Sequence, residues 1–235
     1  MDDTVADLVF QRQPTEERPL LGLTVLVVED SRYASEAMRL PCLRSGARIR
    51  RADCIASAER HLNVFRPSVA IVDLGLPDGS GLELLERMHA MQPRVPILLG
   101  TSGAEREAAA RAAEAAGADG FLPKPVEALA LFQAAILAHV PDDMKPRRPR
   151  PADTTVMTPD LLAFREDLTH AMDLLALDVP PAGYLRRFLL GLARSAHDTA
   201  LEECALGLGE AVSPGDRSIL RRFLSQRISA MPVAV

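Results

Sequence analysis

Residues 69–81, which read VAIVDLGLPDGSG, decide the fold. An unbroken apolar run ends on one carboxylate, Asp73, and a turn rich in Gly, Pro, Asp and Ser follows at once. Such a run is typical of a strand that is buried on both faces of a parallel sheet. Because a carboxylate is costly to bury unless it is paired, the position of Asp73 indicates a functional group.

The segments around this strand alternate between apolar runs and amphipathic helical patterns. Strands are predicted at 23–30, 47–53, 68–73, 95–102 and 119–125, and helices at 31–46, 55–65, 81–92, 105–118 and 126–140. Strict alternation predicts an α/β fold, a doubly wound five-stranded parallel sheet with helices on both faces. The polar segment 47–53 should lie near an edge, and Pro41 should kink or shorten the first helix.

Four segments are predicted along the chain. They are a flexible lead-in at 1–19, the α/β domain at 20–140, a Pro/Arg-rich linker at 141–155 and a small all-α domain at 156–235. In the last segment, Thr158 and Pro159 should begin a helix at 158–177, and 182–211 should hold one or two more. A final helix at 213–231 should bury one face, made of Ile219, Phe223, Leu224, Ile228 and Met231.

The composition limits where the protein works and what it binds. The 235 residues carry a net charge of −5, so the whole chain has no general affinity for nucleic acid or an anionic membrane. No apolar run is long enough to predict a membrane span, and the first residues do not resemble a signal peptide. The three widely spaced cysteines fit a reducing compartment, so we expect a cytoplasmic protein.

Functional side chains follow the predicted strands at their carboxyl ends. They are Glu29 and Asp30 after the first strand, Asp73 at the end of the third, Thr101 and Ser102 at the end of the fourth, and Lys124 after the fifth. In a parallel sheet these ends share one edge, so the groups should converge. Clustered carboxylates favour a divalent cation, and Mg²⁺ suits carboxylates together with waters and a phosphoryl oxygen. Asp73 is then placed to attack a phosphorus centre.

Four motifs, VLVVEDS, VAIVDLGLPDGSG, PILLGTSG and AGADGFLPKP, occur in this order. Through them, residues 22–140 resemble the receiver domain of two-component response regulators. The resemblance implies a flavodoxin-like sheet of order 2-1-3-4-5, and a phosphoryl group passed to Asp73 from a histidine kinase or a histidine phosphotransfer protein. It also implies that Glu29, Asp30, Asp73 and the backbone carbonyl of Gly75 hold Mg²⁺. Such a protein catalyses only its own phosphorylation and dephosphorylation and is otherwise not an enzyme.

The same resemblance assigns further roles. Lys124 pairs with the phosphoryl group, the Lys124–Pro125 bond is cis, and Phe121 matches the aromatic switch position. Thr101 should donate its hydroxyl, although counting back from the following helix selects Ser102. The surface that changes should be the fourth helix, fifth strand and fifth helix, beside the linker. A side chain two residues after the acceptor or after the hydroxyl could position or exclude the attacking water. Glycine, at Gly75 and Gly103, occupies both positions and supplies neither effect.

The helical C-terminal segment leaves alternatives open. Protein–protein contact is favoured, with a protein target and self-association as a homodimer. DNA binding is suggested by Arg217, Arg221, Arg222 and Arg227, but residues 159–235 carry ten acidic and eight basic side chains, so DNA is an unfavoured partner. A phosphotransfer role for His197 on a presumed helix would make a relay protein, yet the lysine and glycine usual after such a histidine are absent.

Overall fold

A parallel five-stranded sheet organises the first half of the chain. The computed structural model describes residues 13–126, 128–146 and 160–231. The strands of the sheet are β1 (Thr24–Val28), β2 (Arg48–Ala52), β3 (Val69–Asp73), β6 (Ile97–Ser102) and β7 (Gly120–Pro123). Their order is β2-β1-β3-β6-β7, with every pair parallel, which confirms the predicted order 2-1-3-4-5. A two-residue hairpin, β4 (Gly75–Leu76) and β5 (Gly79–Ser80), follows β3.

Burial follows strand position. Every residue of β3 is buried, and so are all but the first of β1 and all but the last of β6, whereas β2 is largely exposed, as its polar sequence predicts for an edge. The helices that flank the sheet are α1 (Arg32–Arg44), α2 (Ile55–Val64), α3 (Gly81–Ala90), α4 (Arg106–Ala115) and α5 (Leu129–Leu137). They cover both faces and form two apolar layers, one on each side of the sheet. The carboxyl ends of β1, β3, β6 and β7 therefore meet at one edge, called the rim below.

Pro41 lies inside α1 without ending it. The helix continues to Arg44, so the predicted shortening is wrong. Pro41, Met38 and Cys42 are all buried, the latter two in the apolar layer beneath the helix. We infer that packing of this face outweighs the cost of about 3 kcal/mol that an interior proline usually imposes.

Four helices follow in the helical region, defined here as residues 161–231. They are α6 (Leu161–Ala176), α7 (Ala182–Ser195), α8 (Thr199–Leu206) and α9 (Pro214–Ala230), and no strand occurs among the described residues after 160. Asp160 caps α6 by accepting from the Leu162 amide at 2.9 Å. A capping box between Ser213 and Asp216 begins α9.

One prediction for the helical region needs correction, and other sequence predictions fall outside the described residues. The predicted face of α9 is wrong at Ile219, which is 66% exposed; Leu220 and Leu224 are the buried residues of that helix. Thr158, Pro159, residues 1–12 of the lead-in and residues 147–155 of the linker lie outside the described residues. The limits set for the four segments stay predictions. Within the described residues, no helix combines the length and apolar character that a membrane crossing needs.

Candidate functional site

Three carboxylates meet at the rim. Glu29 and Asp30 follow β1, Asp73 ends β3, and one oxygen of each lies within 4.8 Å of one oxygen of the others. Burial raises the pKa of Glu29 well above its usual value, and it also raises the pKa of Asp30, with a further contribution from the charge of Asp73. These three residues, called the acid cluster below, therefore hold more negative charge than their surroundings stabilise.

Lys124 follows β7 and closes the other side of the acid cluster. Its Nζ atom lies 2.6 Å from Glu29 Oε2 and 3.2 Å from Asp73 Oδ1, and its side chain is buried. Burial alone would lower the pKa of Lys124, but the charges of Asp73 and Glu29 outweigh burial and raise the pKa. The ammonium group is therefore kept positive next to the proposed acceptor. The Lys124–Pro125 bond is cis, as the resemblance implies.

The β3–β6 register distinguishes the two candidate hydroxyls. Thr101 pairs directly with Asp73, whereas Ser102 lies one residue further on, and its Oγ accepts from the Ala104 amide at 3.0 Å. Thr101 Oγ1 is buried and has no hydrogen-bond partner among the described residues. A buried hydroxyl without a partner costs about 1–3 kcal/mol. Thr101 thus fits a site that receives an additional acceptor atom, and this geometry favours it over Ser102.

Phe121 lies on β7 opposite Gly100 of β6. Its side chain is half-buried against the apolar layer that contains Ala113. The switch role of Phe121 stays a prediction.

The acid cluster fits a hard divalent cation. Carboxylate oxygens are the ligands that Mg²⁺ prefers, and a cation would stabilise the carboxylates of Glu29 and Asp30, whose pKa values are raised chiefly by burial and further by repulsion between the carboxylates. Gly75 follows Asp73 by two residues and lines the same cavity as the acid cluster, which is compatible with the metal role that the resemblance implies for its carbonyl. Glu29, Asp30, Asp73 and Gly75 are therefore the residues that would hold Mg²⁺.

Comparison with known proteins identifies the first half of the chain. The family model described as "Response regulator receiver domain" matches residues 25–136. Residues 25–136 form a response regulator receiver domain. The predicted resemblance is confirmed for this segment, and the acid cluster, Thr101 and Lys124 all belong to it.

Named relatives match about half of the chain. The virulence transcriptional regulatory protein PhoP of Shigella flexneri and the transcriptional regulatory protein PhoP of Escherichia coli K12 are each 36% identical over 117 residues; for each, this is 48% of this chain and 51% of the relative. The chain thus spans about half the length of the curated relatives it matches.

Solved structures also match about half of the chain. A response regulator from Burkholderia pseudomallei, solved with a phosphorylated aspartic acid, calcium ion and citrate, is 26% identical at a TM-score of 0.44, covering 52% of this chain and 68% of that one. The chemotaxis response regulator CheY4 of Vibrio cholerae is 20% identical at 0.46, covering 50% and 98%.

The helical region reaches into the receiver site through Tyr184 on α7. The Tyr184 hydroxyl donates to Asp30 Oδ2 at 2.6 Å. Burial raises the pKa of Tyr184, and the charge of Asp30 raises it further, so the hydroxyl keeps its proton and acts as a donor. Sequence analysis missed Tyr184 because the two residues are 154 positions apart and nothing near Tyr184 signals a site.

Asp167 on α6 makes the second polar contact between the regions. Its carboxylate accepts from Ser31 Oγ at 2.7 Å and from the backbone amides of Arg32 and Tyr33 at 2.9 and 3.0 Å. These amides belong to the first turn of α1, where a helix leaves its N–H groups without partners. Asp167 therefore caps a receiver helix from the helical region. The sequence did carry a signal for Asp167: it follows Phe164 by three residues and so lies on the buried stripe of α6, where a carboxylate needs donors.

The docking face differs from the one expected. The helical region packs chiefly against α1 and the rim, with α6 on α1 and α7 beside β4, rather than on α4, β7 and α5. Tyr33 of α1 joins the apolar core of the helical region and meets Phe164 edge-to-face at 5.3 Å between ring centroids. The expectation that the helical region senses the fourth helix, fifth strand and fifth helix is therefore not supported by this packing.

His197 does not lie on a helix, contrary to the presumed position. It follows the end of α7, with φ at 52°, in the turn before α8. Asp198 begins α8 by accepting from the Leu201 amide, and its carboxylate also pairs with Arg227 of α9. The segment around His197 therefore joins three helices, and a phosphotransfer role for His197 stays a prediction without a helical setting.

Proposed function

We propose that this protein is a response regulator in which Asp73 accepts a phosphoryl group from a phosphohistidine on a histidine kinase or a histidine phosphotransfer protein. The observation that supports the proposal best is the buried ammonium of Lys124, 2.6 Å from Glu29 and 3.2 Å from Asp73, beside an acid cluster. A lysine and three carboxylates packed this closely suit a group that brings its own negative charge and a cation.

The chemistry follows from the residues present. An Asp73 carboxylate oxygen attacks phosphorus, the phosphorus–nitrogen bond of the donor breaks, and its electron pair stays on the imidazole nitrogen. Lys124 pairs with a phosphoryl oxygen, and the unpaired hydroxyl of Thr101 donates to another. Mg²⁺, held by Glu29, Asp30, Asp73 and the Gly75 carbonyl, would supply positive charge for the transferring group. Beyond its own phosphorylation and dephosphorylation, we propose no enzymatic activity.

The helical region is the proposed output. We propose that the charge added at Asp73 shifts a two-state packing in which Thr101 and Phe121 take part, and that this alters how the helical region presents itself to a protein target or to a second copy. We expect the protein in the cytoplasm, because its three cysteines form no disulfide.

A small phosphodonor tests the acceptor. The full chain is incubated with acetyl phosphate and Mg²⁺, and intact mass and peptide mapping follow the label. We expect one phosphoryl group on Asp73, none in D73N, and no label when the metal is chelated. D173N, which changes an exposed aspartate on α6, should be labelled like the wild type. Label on D73N at wild-type level would overturn the proposal.

DNA binding is the second candidate, because the PhoP relatives are named transcriptional regulatory proteins. Two of the four α9 arginines form hydrogen bonds or ion pairs with other residues of the helical region. Arg217 donates to the carbonyl of Leu177, and Arg227 pairs with Asp198, which leaves Arg221 and Arg222 exposed. Salt-dependent binding of the phosphorylated chain to duplex DNA would favour this candidate, and no binding at low salt would remove it.

Acid-labile, base-stable phosphate in D73N would instead favour the His197 relay.

A further inference from the structure

Two receiver positions that lack a side chain face α7. If Gly75 carried a Cβ, that atom would lie 3.5 Å from Nε and 3.7 Å from Cδ of Arg187. If Gly103 carried one, it would lie 3.0 Å from the Cα atom of Gly191. The side chain of Arg187 therefore lies against the backbone at Gly75, and the backbone of α7 approaches the loop after β6 at Gly103. Helix α7 thus occupies the space that side chains at these two positions would take.

A cavity of about 340 Å³ remains between α7 and the rim. Its lining includes Asp73, Lys124 and Ser102 from the receiver domain and Arg187, Phe188 and Gly191 from α7. Since a water molecule takes about 30 Å³ in the liquid, the cavity has room for a phosphoryl group and several waters. A phosphoryl group on Asp73 would extend into this space, towards α7.

The cations around the cavity differ in what they already bind. Lys124 is paired with Glu29 and Asp73, and Arg194 is paired with Glu202 at 2.7 Å and donates to the carbonyl of Gly103. Arg187 makes no hydrogen bond or ion pair with any of the residues that the structure describes. It is therefore the guanidinium that a new anion in the cavity can engage without breaking an existing pair.

We propose that Arg187 binds the phosphoryl group carried by Asp73, so that α7 completes the phosphoryl site of the receiver domain. This inference rests on the proposed function. A phosphoryl group adds negative charge and strong acceptor oxygens, and a guanidinium binds such oxygens through two parallel N–H donors. Gly75 and Gly103 have no side chain that could bind the phosphoryl group. The guanidinium of Arg187, from the helical region, supplies that cation. Binding of the phosphoryl group then also holds α7 more tightly to the rim.

Beryllium trifluoride, a tetrahedral phosphoryl mimic, tests this inference at equilibrium. Its affinity for the full chain is measured by titration calorimetry with excess Mg²⁺. We expect R187A to bind it about tenfold more weakly, because the variant loses the charge-assisted hydrogen bonds of the guanidinium; tenfold corresponds to about 1.4 kcal/mol. R187K, which keeps the charge but not the two-donor fork, should fall between R187A and the wild type.

Arg186 provides the matched control, because it is the neighbouring exposed arginine on α7 and does not line the cavity. R186A should bind the mimic like the wild type. An affinity of R187A within twofold of the wild type, or an equal loss in R186A, would overturn the role of Arg187. If acetyl phosphate labels Asp73 while R187A binds the mimic normally, only this inference fails. If the wild type takes neither label nor mimic, the proposed function fails and the inference with it.

Discussion

Removal of the Asp167 carboxylate should loosen the helical region from the receiver domain. In D167A, Ser31 Oγ and the amides of Arg32 and Tyr33 lose the acceptor that they share. Hydrogen bonds to a charged acceptor contribute about 1.5–3 kcal/mol each, so three would contribute about 4.5–9 kcal/mol before any opposing cost.

Burial of the carboxylate opposes this gain. Asp167 is only 2% exposed, and burial raises its pKa despite the three donors, so desolvation consumes a large part of their contribution. Breaking a buried charged network by removing one partner typically costs about 3–5 kcal/mol. We therefore expect D167A to lower the free energy of unfolding by about 3 kcal/mol.

Urea denaturation measures the loss of unfolding free energy in D167A, and amide hydrogen exchange measures the loss of protection at the two amides. The exchange of the Arg32 and Tyr33 amides should accelerate in D167A, because these two groups lose their acceptor. The control is D173A, which removes an exposed carboxylate from the same helix. The reasoning is refuted if D167A and D173A differ by less than about 0.5 kcal/mol, the usual range of surface substitutions, and the two amides keep their protection.

Three further outcomes are expected from packing and burial. Thermal unfolding should show G103A destabilised by about 1 kcal/mol, because its Cβ would press on the α7 backbone. The added Cβ in G191A meets nothing within 4 Å, so this variant should be more stable than the wild type by about 0.5–1 kcal/mol. Equal effects of the two substitutions would contradict the close approach of α7 to Gly103. Burial raises the folded pKa of Asp167 above 3.8, so this residue contributes most to stability at low pH. The unfolding free energy of the wild type relative to D167N should therefore fall as pH rises through that folded pKa. An increase over the same pH range would contradict the prediction. Native-state alkylation should spare Cys42, which is fully buried with a pKa raised to about 12, and modify the half-buried Cys204; rapid loss of the Cys42 thiol would contradict its burial.

The rim was predictable because its signal is local. Four of the five strands, β1, β3, β6 and β7, end within two residues of a side chain of the site, so Asp73 and Lys124 could be expected to meet from strand order alone. The choice between Thr101 and Ser102 was harder, because it depends on the pairing of β6 with β3, and a shift of one residue exchanges the two faces.

The contacts from the helical region were not predictable in the same way. Tyr184 and Asp30 are joined only by the docking of two regions, and no pattern in the sequence encodes that arrangement. Asp167 was partly readable, since a carboxylate on the buried stripe of a helix needs donors, although the identity of its donors was not. Pro41 was misjudged because local propensity was weighed without the burial of its helix face.

The ring of Tyr33 has a consequence for how such chains can evolve. Although Tyr33 is encoded within the receiver segment, its side chain belongs to the apolar core of the helices that follow. Exchanging the second half of this gene for an unrelated one would leave an aromatic ring bare at the start of α1. Recombination at the linker would thus forfeit the burial of Tyr33, so the residue at this position should vary together with the helices that follow it.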